Sequence, residues 1–318
     1  MIIERIDSIA PPPDAPVRVK MSGNIAEVKY TQSANQIPRI KKISRDEYVV
    51  LATGEVKKFG RGESRLDDRQ SLRESLTRLR DYLNANVTDA SKARWVTLTY
   101  RELMSDQQRL YDDFKAFNRR CRKKYGHYEY IVAAEYQQRG SLHLHCVFVF
   151  DKNAPYMAGD EVASLWQQGF AKIRRLTSID DVGRYITAYI GDAIIDQPEH
   201  LTGGVRPDQL KSVEVEENGV KAKKIVAKRA RIAMMPSGFN LYRISKGIKP
   251  PTVSVMSTEQ AEKMLQDWVL TYQAAYKLTD ESRDFQSVMC TSYYNKVLGQ
   301  REKELFNKAK QEQRRLSD

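Results

Sequence analysis

The stretch that most limits how this chain can fold is residues 127 to 150, HYEYIVAAEYQQRGSLHLHCVFVF. Two runs rich in β-branched and aromatic residues are separated by Arg139-Gly140-Ser141. This predicts a β-hairpin, and with it an antiparallel sheet at the centre of the fold. Side chains alternate along a strand, so His143, His145, Val147 and Val149 share one face while Leu142, Leu144, Cys146, Phe148 and Phe150 share the other. Two imidazoles thus stand side by side, with Cβ atoms about 6.5 to 7 Å apart, close enough for both rings to hold one divalent ion. With Arg139-Gly140-Ser141 as a three-residue loop, Gln137 faces His143 and Glu135 falls opposite His145, roughly 5 Å away at Cβ. A two-residue loop would slip the register by one and take Glu135 off that face. The expected metal ligands are therefore Glu135, His143 and His145. An isolated His-x-His is a weak metal signal, but this pair takes two of only four histidines in the chain and has an acid in register. A histidine-triad phosphatase would need a third histidine at 147, where Val147 stands.

Around the hairpin, hydrophobic spacing marks helices. Leu72, Leu76, Leu79 and Leu83 form one face of a helix over 66 to 84, and RWVTLTY at 94 to 100 reads as a strand. Leu110, Phe114, Phe117 and Cys121 repeat the pattern in a second helix, opened by a Ser105 to Gln108 capping box and stopped by Gly126. SIDDVGRYITAYIGDAI at 178 to 194 reads as a helix capped by Ser178 or Asp180, with Val182, Ile186 and Ile190 buried and Tyr185 and Tyr189 on the adjacent face. VEVEENGVKAKKIVA reads as a charged hairpin turning at Asn218-Gly219. A further helix near 257 to 277 carries Met264, Leu265, Trp268, Tyr272 and Tyr276, and a polar, mostly basic helix or tail follows. The predicted class is α+β, a central antiparallel sheet flanked by helices with a helical C-terminal extension.

Charge points to the partner. Fifty-three Lys and Arg against 41 Asp and Glu leave a net +12, which suits a polyanion such as nucleic acid or an acidic membrane surface. No apolar run approaches 18 residues, and Glu4, Arg5 and Asp7 occupy the region where a signal peptide is apolar, so a cytosolic setting is expected. Cys121, Cys146 and Cys290 are odd in number and widely spaced, the pattern of ordinary thiols rather than of a disulfide framework or zinc knuckle.

Three segments, in order, resemble the motifs of the HUH endonucleases, and within them the rolling-circle replication initiators of plasmids and single-stranded DNA phages. WVTLTY at 95 to 100 is similar to the first motif, RGSLHLHCVF at 139 to 148 to the metal motif, and VGRYITAYIGD at 182 to 192 to the tyrosine motif. YRISKGIKPP at 242 to 251 is also similar to bacterial members of the group, so the likeness spans about 95 to 250.

The resemblance implies a nickase that uses Mg²⁺ or Mn²⁺ at Glu135, His143 and His145 and attacks the scissile phosphate with a tyrosine. A 5′-phosphotyrosine and a free 3′-OH would result. Tyr185 is expected to make the first cut, being one turn nearer the helix N-terminus, and Tyr189 the second transfer. Family members of the Tyr-x-x-Lys-Tyr type place lysines where this chain has Ala188 and Asp192. Lys172, Arg174, Arg175 and Arg184 are the nearest basic substitutes, and with Arg139 they are the candidate DNA-binding residues. Implied partners are single-stranded or hairpin origin DNA and a host helicase and polymerase in the bacterial cytoplasm, without a membrane. The expected boundaries are 1–65 for an N-terminal arm and short strands, 66–200 for the nickase domain, 201–255 for a charged hairpin and loop region, and 256–318 for a C-terminal helical basic region. The rivals are a relaxase or HUH transposase, and a non-catalytic DNA-binding protein with a structural metal site. The histidine motif preceding the tyrosine motif argues against a relaxase.

Overall fold

The computed structural model describes residues 2–300 except 8, 34–37, 45, 61, 63, 65–66, 138–139, 177–180, 192, 196–209, 218–219, 228–231, 233 and 282–283; for 69, 188–191, 193–195, 210–217 and 220–227 it describes the backbone alone. Arg139, the Asn218-Gly219 turn, the proposed caps Ser178 and Asp180, and the tail from 301 lie outside the described residues. The protein is α+β with antiparallel sheets, and it divides into two compact units, 1–60 with 250–318, and 61–249.

The first unit opens with β1 (Ile2–Ile6), β2 (Pro16–Ser22) and β3 (Ile25–Thr31). The proline run at 11–13 supplies no backbone donors, and regular pairing resumes at Pro16, the first residue of its strand, where a missing N–H is tolerated. A small sheet of β4 (Ile40–Lys42), β5 (Glu47–Val50) and β6 (Val56–Lys58) follows.

The second unit begins with α1 (Arg69–Asn86), where Asp68 caps by accepting from the Ser71 N–H at 2.9 Å and Leu72, Leu79 and Leu83 are buried. Next come β7 (Ala93–Tyr100) and α2 (Gln107–Tyr125). The cap of α2 is Asp106 rather than Ser105. Its carboxylate accepts from the N–H groups of Gln108 and Arg109 at 2.8 and 3.1 Å, and a negative charge at a helix N-terminus is favourable in a way a hydroxyl is not. Gly126 stops the helix as expected. The hairpin is β8 (Glu129–Tyr136) and β9 (Leu142–Val149). Two elements with no counterpart in the sequence reading follow, α3 (Gly159–Trp166) and β10 (Gly169–Arg174). Then come α4 (Val182–Gly191) and the backbone-paired strands β11 (Ala193–Ile195), β12 (Leu210–Glu217) and β13 (Val220–Ala227), the last two being the expected charged hairpin. The unit closes with β14 (Tyr242–Ile244).

One sheet, ordered β10-β7-β9-β8-β14 with every pair antiparallel, organises this unit. One face carries Val96, Leu98, Val132, Ala134, Leu144, Cys146 and Phe148 and packs on the buried stripe of α2 and on Val162 and Trp166 of α3. The other carries Trp95, Ile131, Ala133 and Val147, covered by Leu79 and Leu83 of α1 and Val182 and Ile186 of α4. His143 and His145 stand on this second face and are themselves buried.

The chain returns to the first unit with β15 (Thr252–Ser257), α5 (Thr258–Leu265), β16 (Val269–Asp280) and β17 (Phe285–Asn295), which complete a sheet ordered β1-β16-β17-β3-β2-β15. This corrects the expected helix over 257 to 277; of the expected helical C-terminal extension, residues 296–300 are helical and the tail from 301 lies outside the described residues. The helix ends at Leu265, and 269–295 form two long strands. Trp268, Tyr272 and Tyr276 are four apart, a spacing that fits one helix face and one strand face equally well. Val269, Leu270, Thr271 and Tyr272, rich in β-branched and aromatic side chains, tip that ambiguity toward a strand with partners on both sides.

Candidate metal centre

The hairpin turn sets the site. Gln137 N–H donates to the Ser141 carbonyl at 2.8 Å, and Gly140 sits at φ 80°, the left-handed position that ends a three-residue hairpin loop. The pairing of Gln137 with Ser141 closes the loop one step earlier than expected. Glu135 consequently lies opposite His143, with Ala133 opposite His145, which corrects the predicted Glu135 to His145 pairing. The correction moves the register by two residues, and a two-residue shift keeps every side chain on its face. Glu135 stays with the histidines.

The three side chains converge on one point. Glu135 Oε1 is 2.5 Å from His143 Nε2 and 3.1 Å from His145 Nε2, and the two Nε2 atoms are 2.9 Å apart. Glu135 is 0% exposed and both rings are buried. Burial raises the pKa of Glu135, while hydrogen bonds from His143 and His145 and their charge more than offset it and leave the carboxyl at about 2. A single proton can bridge only one pair among three mutually close lone-pair atoms, whereas a divalent cation can accept from all three. Two imidazoles and one carboxylate are a donor set used for such ions, so the residues fit a metal, whose identity the set does not fix. Thr97 Oγ1 lies 3.4 Å from His145 Nδ1, on the side of the ring away from the cluster, where a polar neighbour orients the ligand.

Trp95 links this cluster to the tyrosine helix. Its ring centroid is 5.8 Å from that of His145 and 5.5 Å from that of Tyr185, the latter edge-on at 80°. Tyr185 is 48% exposed, so it rests against the wall of the site and faces solvent. Helix α4 is placed by its first turn. Asp181 is its cap, accepting from the Arg184 N–H at 2.9 Å, in place of the expected Ser178 or Asp180. Buried Asn84 of α1 donates to Asp181 at 2.9 Å and accepts from the Gly183 N–H at 2.7 Å. A Cβ on Gly183 would stand 2.5 Å from the carbonyl oxygen and Cγ of Arg80, so only glycine lets the two backbones approach this closely. Tyr189 lies one turn further along α4, and its side chain is outside the described residues.

The cations fall on both sides of the sheet edge. In the register of β10 with β7, Lys172 is opposite Thr97 and Arg174 opposite Trp95, so both stand on the metal face. The Arg174 guanidinium lies 5.5 Å from the Trp95 ring centre. Arg184 is exposed beside Tyr185 on α4, and Arg175 just past β10 is exposed as well. Trp95, Thr97, Asn84, Asp181 and Gly183 escaped the sequence reading. Trp95 and Thr97 were within reach, since alternation along RWVTLTY puts them on one face, but which face depends on the pairing with β9.

An antiparallel sheet with two histidines and a carboxylate buried together on one face defines an α+β protein with a cluster that could hold a metal ion. Residues 93–193, from the start of β7 to β11, match the family model of the replication-associated proteins of the ORF2 and gene 2 protein type. This family is of the rolling-circle replication type, and the Glu135, His143 and His145 cluster fits an HUH motif. Comparison with curated proteins and with solved structures gave no match. Among the described residues no helix is long and apolar enough to cross a membrane.

Proposed function

We propose that the chain is a rolling-circle DNA replication initiator that nicks and rejoins single-stranded origin DNA. The observation that carries this reading is Trp95, whose ring touches both a metal-ligand histidine and a solvent-facing tyrosine. Glu135, His143 and His145 would hold Mg²⁺ or Mn²⁺. When bound, the ion withdraws charge from the scissile phosphate and stabilises the negative charge growing on its oxygens.

The chain's own residues account for the rest. The Tyr185 hydroxyl attacks phosphorus, forming a phosphotyrosine bond as the bond from phosphorus to the 3′ oxygen breaks. The phenol proton passes to solvent, and the departing oxygen takes up a proton to become the 3′-OH that primes synthesis. Trp95 and the Asn84, Asp181 and Gly183 contacts hold Tyr185 in place before DNA arrives, so little ordering remains to be done in the transition state. Tyr189 serves the second transfer that closes the circle. Lys172, Arg174, Arg175, Arg184 and Arg139 contact phosphates, and a host helicase and polymerase extend the 3′ end in the bacterial cytoplasm.

A labelled single-stranded origin oligonucleotide incubated with Mn²⁺ tests this. The expected result is a covalent, metal-dependent adduct on a denaturing gel, lost in Tyr185→Phe and kept by Tyr189→Phe for the first transfer only. Peptide mapping to Tyr189 would reverse the order. Absence of any adduct from wild-type protein would leave a non-catalytic DNA-binding protein with a structural metal site.

A further inference from the structure

Strand β10 is the outer edge of the sheet, and a cavity of about 380 Å³ opens beside it. Three cations line it, Arg94, Lys172 and Arg175, together with Tyr156 and an apolar floor that includes Met157 and Ile173; none of the lining residues is acidic. Arg94 is only 7% exposed, yet its guanidinium meets backbone carbonyls rather than carboxylates. Its Nε donates to the Pro155 carbonyl at 3.1 Å, its Nη1 to Ala93 at 2.8 Å and its Nη2 to Ala154. Among the described residues no acid forms an ion pair with it. Burial, and then the like charge of Arg175, lower its pKa.

The same bonds fix the segment 154–155 and so set the position of the next residue. Tyr156 is 77% exposed, an aromatic ring held at the rim of a cationic cavity with almost no cover. A buried cation that anchors a loop, two further cations and an exposed ring form the pairing that a nucleotide needs, charge for its phosphate and a flat face for its base.

We infer that this cavity binds one nucleotide of the DNA strand flanking the nick site, with its phosphate beside Arg94 and Arg175 and its base stacked on Tyr156. The inference rests on the proposed nicking function and extends it to substrate positioning. Lys172 lines the cavity but stands on the metal face of the edge strand, opposite to the face of Arg94, and so joins the two places. Its strand is two strands from β9, roughly 10 Å across the sheet, so a strand seated in the cavity can run over β10 to the metal ligands. Stacking tolerates any base, so the cavity sets where the strand lies rather than which sequence is cut.

The test is the affinity of a short fluorescent single strand, measured by anisotropy without metal so that no cleavage intervenes. Tyr156→Ala should weaken binding about tenfold and Tyr156→Phe should restore it, because the ring and not the hydroxyl stacks. Arg175→Ala should weaken binding and lower the slope of log K against log salt by about one. Wild-type affinity in Tyr156→Ala, with an unchanged circular dichroism spectrum, would overturn the inference. The adduct assay separates this from the function itself. Adducts with affinity indifferent to Tyr156 would retain nicking and reject the cavity, and Tyr156-dependent affinity without adducts would do the reverse.

Discussion

Strands β9 and β10 lie on either side of β7 in one sheet, yet they are built in opposite ways. Seven of the eight residues of β9 are buried, with Leu144, Cys146 and Phe148 locked in the core behind the two histidines. In β10 half-buried and exposed residues alternate, and the exposed ones are Phe170, Lys172 and Arg174. On the proposed function the difference follows from what each strand would hold. Metal ligands need placement to within about 0.5 Å, which a close-packed central strand supplies. A flexible polyanion needs accessible charge and ring faces, which only an edge can present.

The comparison can be broken most sharply at β9. His143→Ala should reduce adduct formation on the order of 10³-fold, by removing a ligand from a preorganised electrostatic site, while DNA affinity stays close to wild type because phosphate contacts supply it. Titration calorimetry with Mn²⁺ should show the matching loss of metal affinity. If nicking survives at the wild-type rate, the central strand is not the metal strand. Gly183→Ala comes next. The added Cβ collides with backbone atoms of Arg80, and a displacement of α4 by about 1 Å should slow adduct formation roughly 100-fold. Mn²⁺ affinity should be retained, which separates the position of the nucleophile from the metal site. Asn84→Ala removes both bonds to the first turn of α4, leaving the Gly183 N–H to find another partner, and should lower stability by about 1 to 3 kcal/mol. Thermal denaturation measures it.

The same contrast explains what could be read from the sequence. In β9 the alternation of HLHCVFV is strong because one face is wholly apolar, and the stripe of α2 is equally plain. Hence the hairpin, the flanking helices and the clustering of Glu135, His143 and His145 were legible. Strand β10 was not, because FAKIRR mixes small, apolar and cationic residues in a short run that reads as surface, and an edge strand has no second neighbour to impose a hydrophobic pattern. The register of the hairpin turned on which residue takes the left-handed position. Gly140 ends the loop instead of standing at its middle, and the shift of two spared the site only because side chains alternate with period two. Gly183 and Asn84 act across α1 and α4, contacts between segments about 100 residues apart that no local pattern announces.

The smallest expected effect sharpens the comparison from the β10 side. Lys172 stands on the metal face opposite Thr97, whose own hydroxyl approaches His145, so the edge strand is one contact removed from the ligands. If its task is only to hold DNA, Lys172→Ala should weaken binding a few-fold, equally for all sequences, and lower the slope of log K against log salt by about one. Arg174→Ala should cost slightly more, since its guanidinium also lies over Trp95, a contact worth about 0.5 to 1 kcal/mol at an exposed site. Mn²⁺ affinity should not change in either variant. A drop in metal affinity on removing Lys172 would mean that β10 helps shape the ligand site through Thr97, and the division of labour between a rigid central strand and a tolerant edge would fail at that row of the sheet.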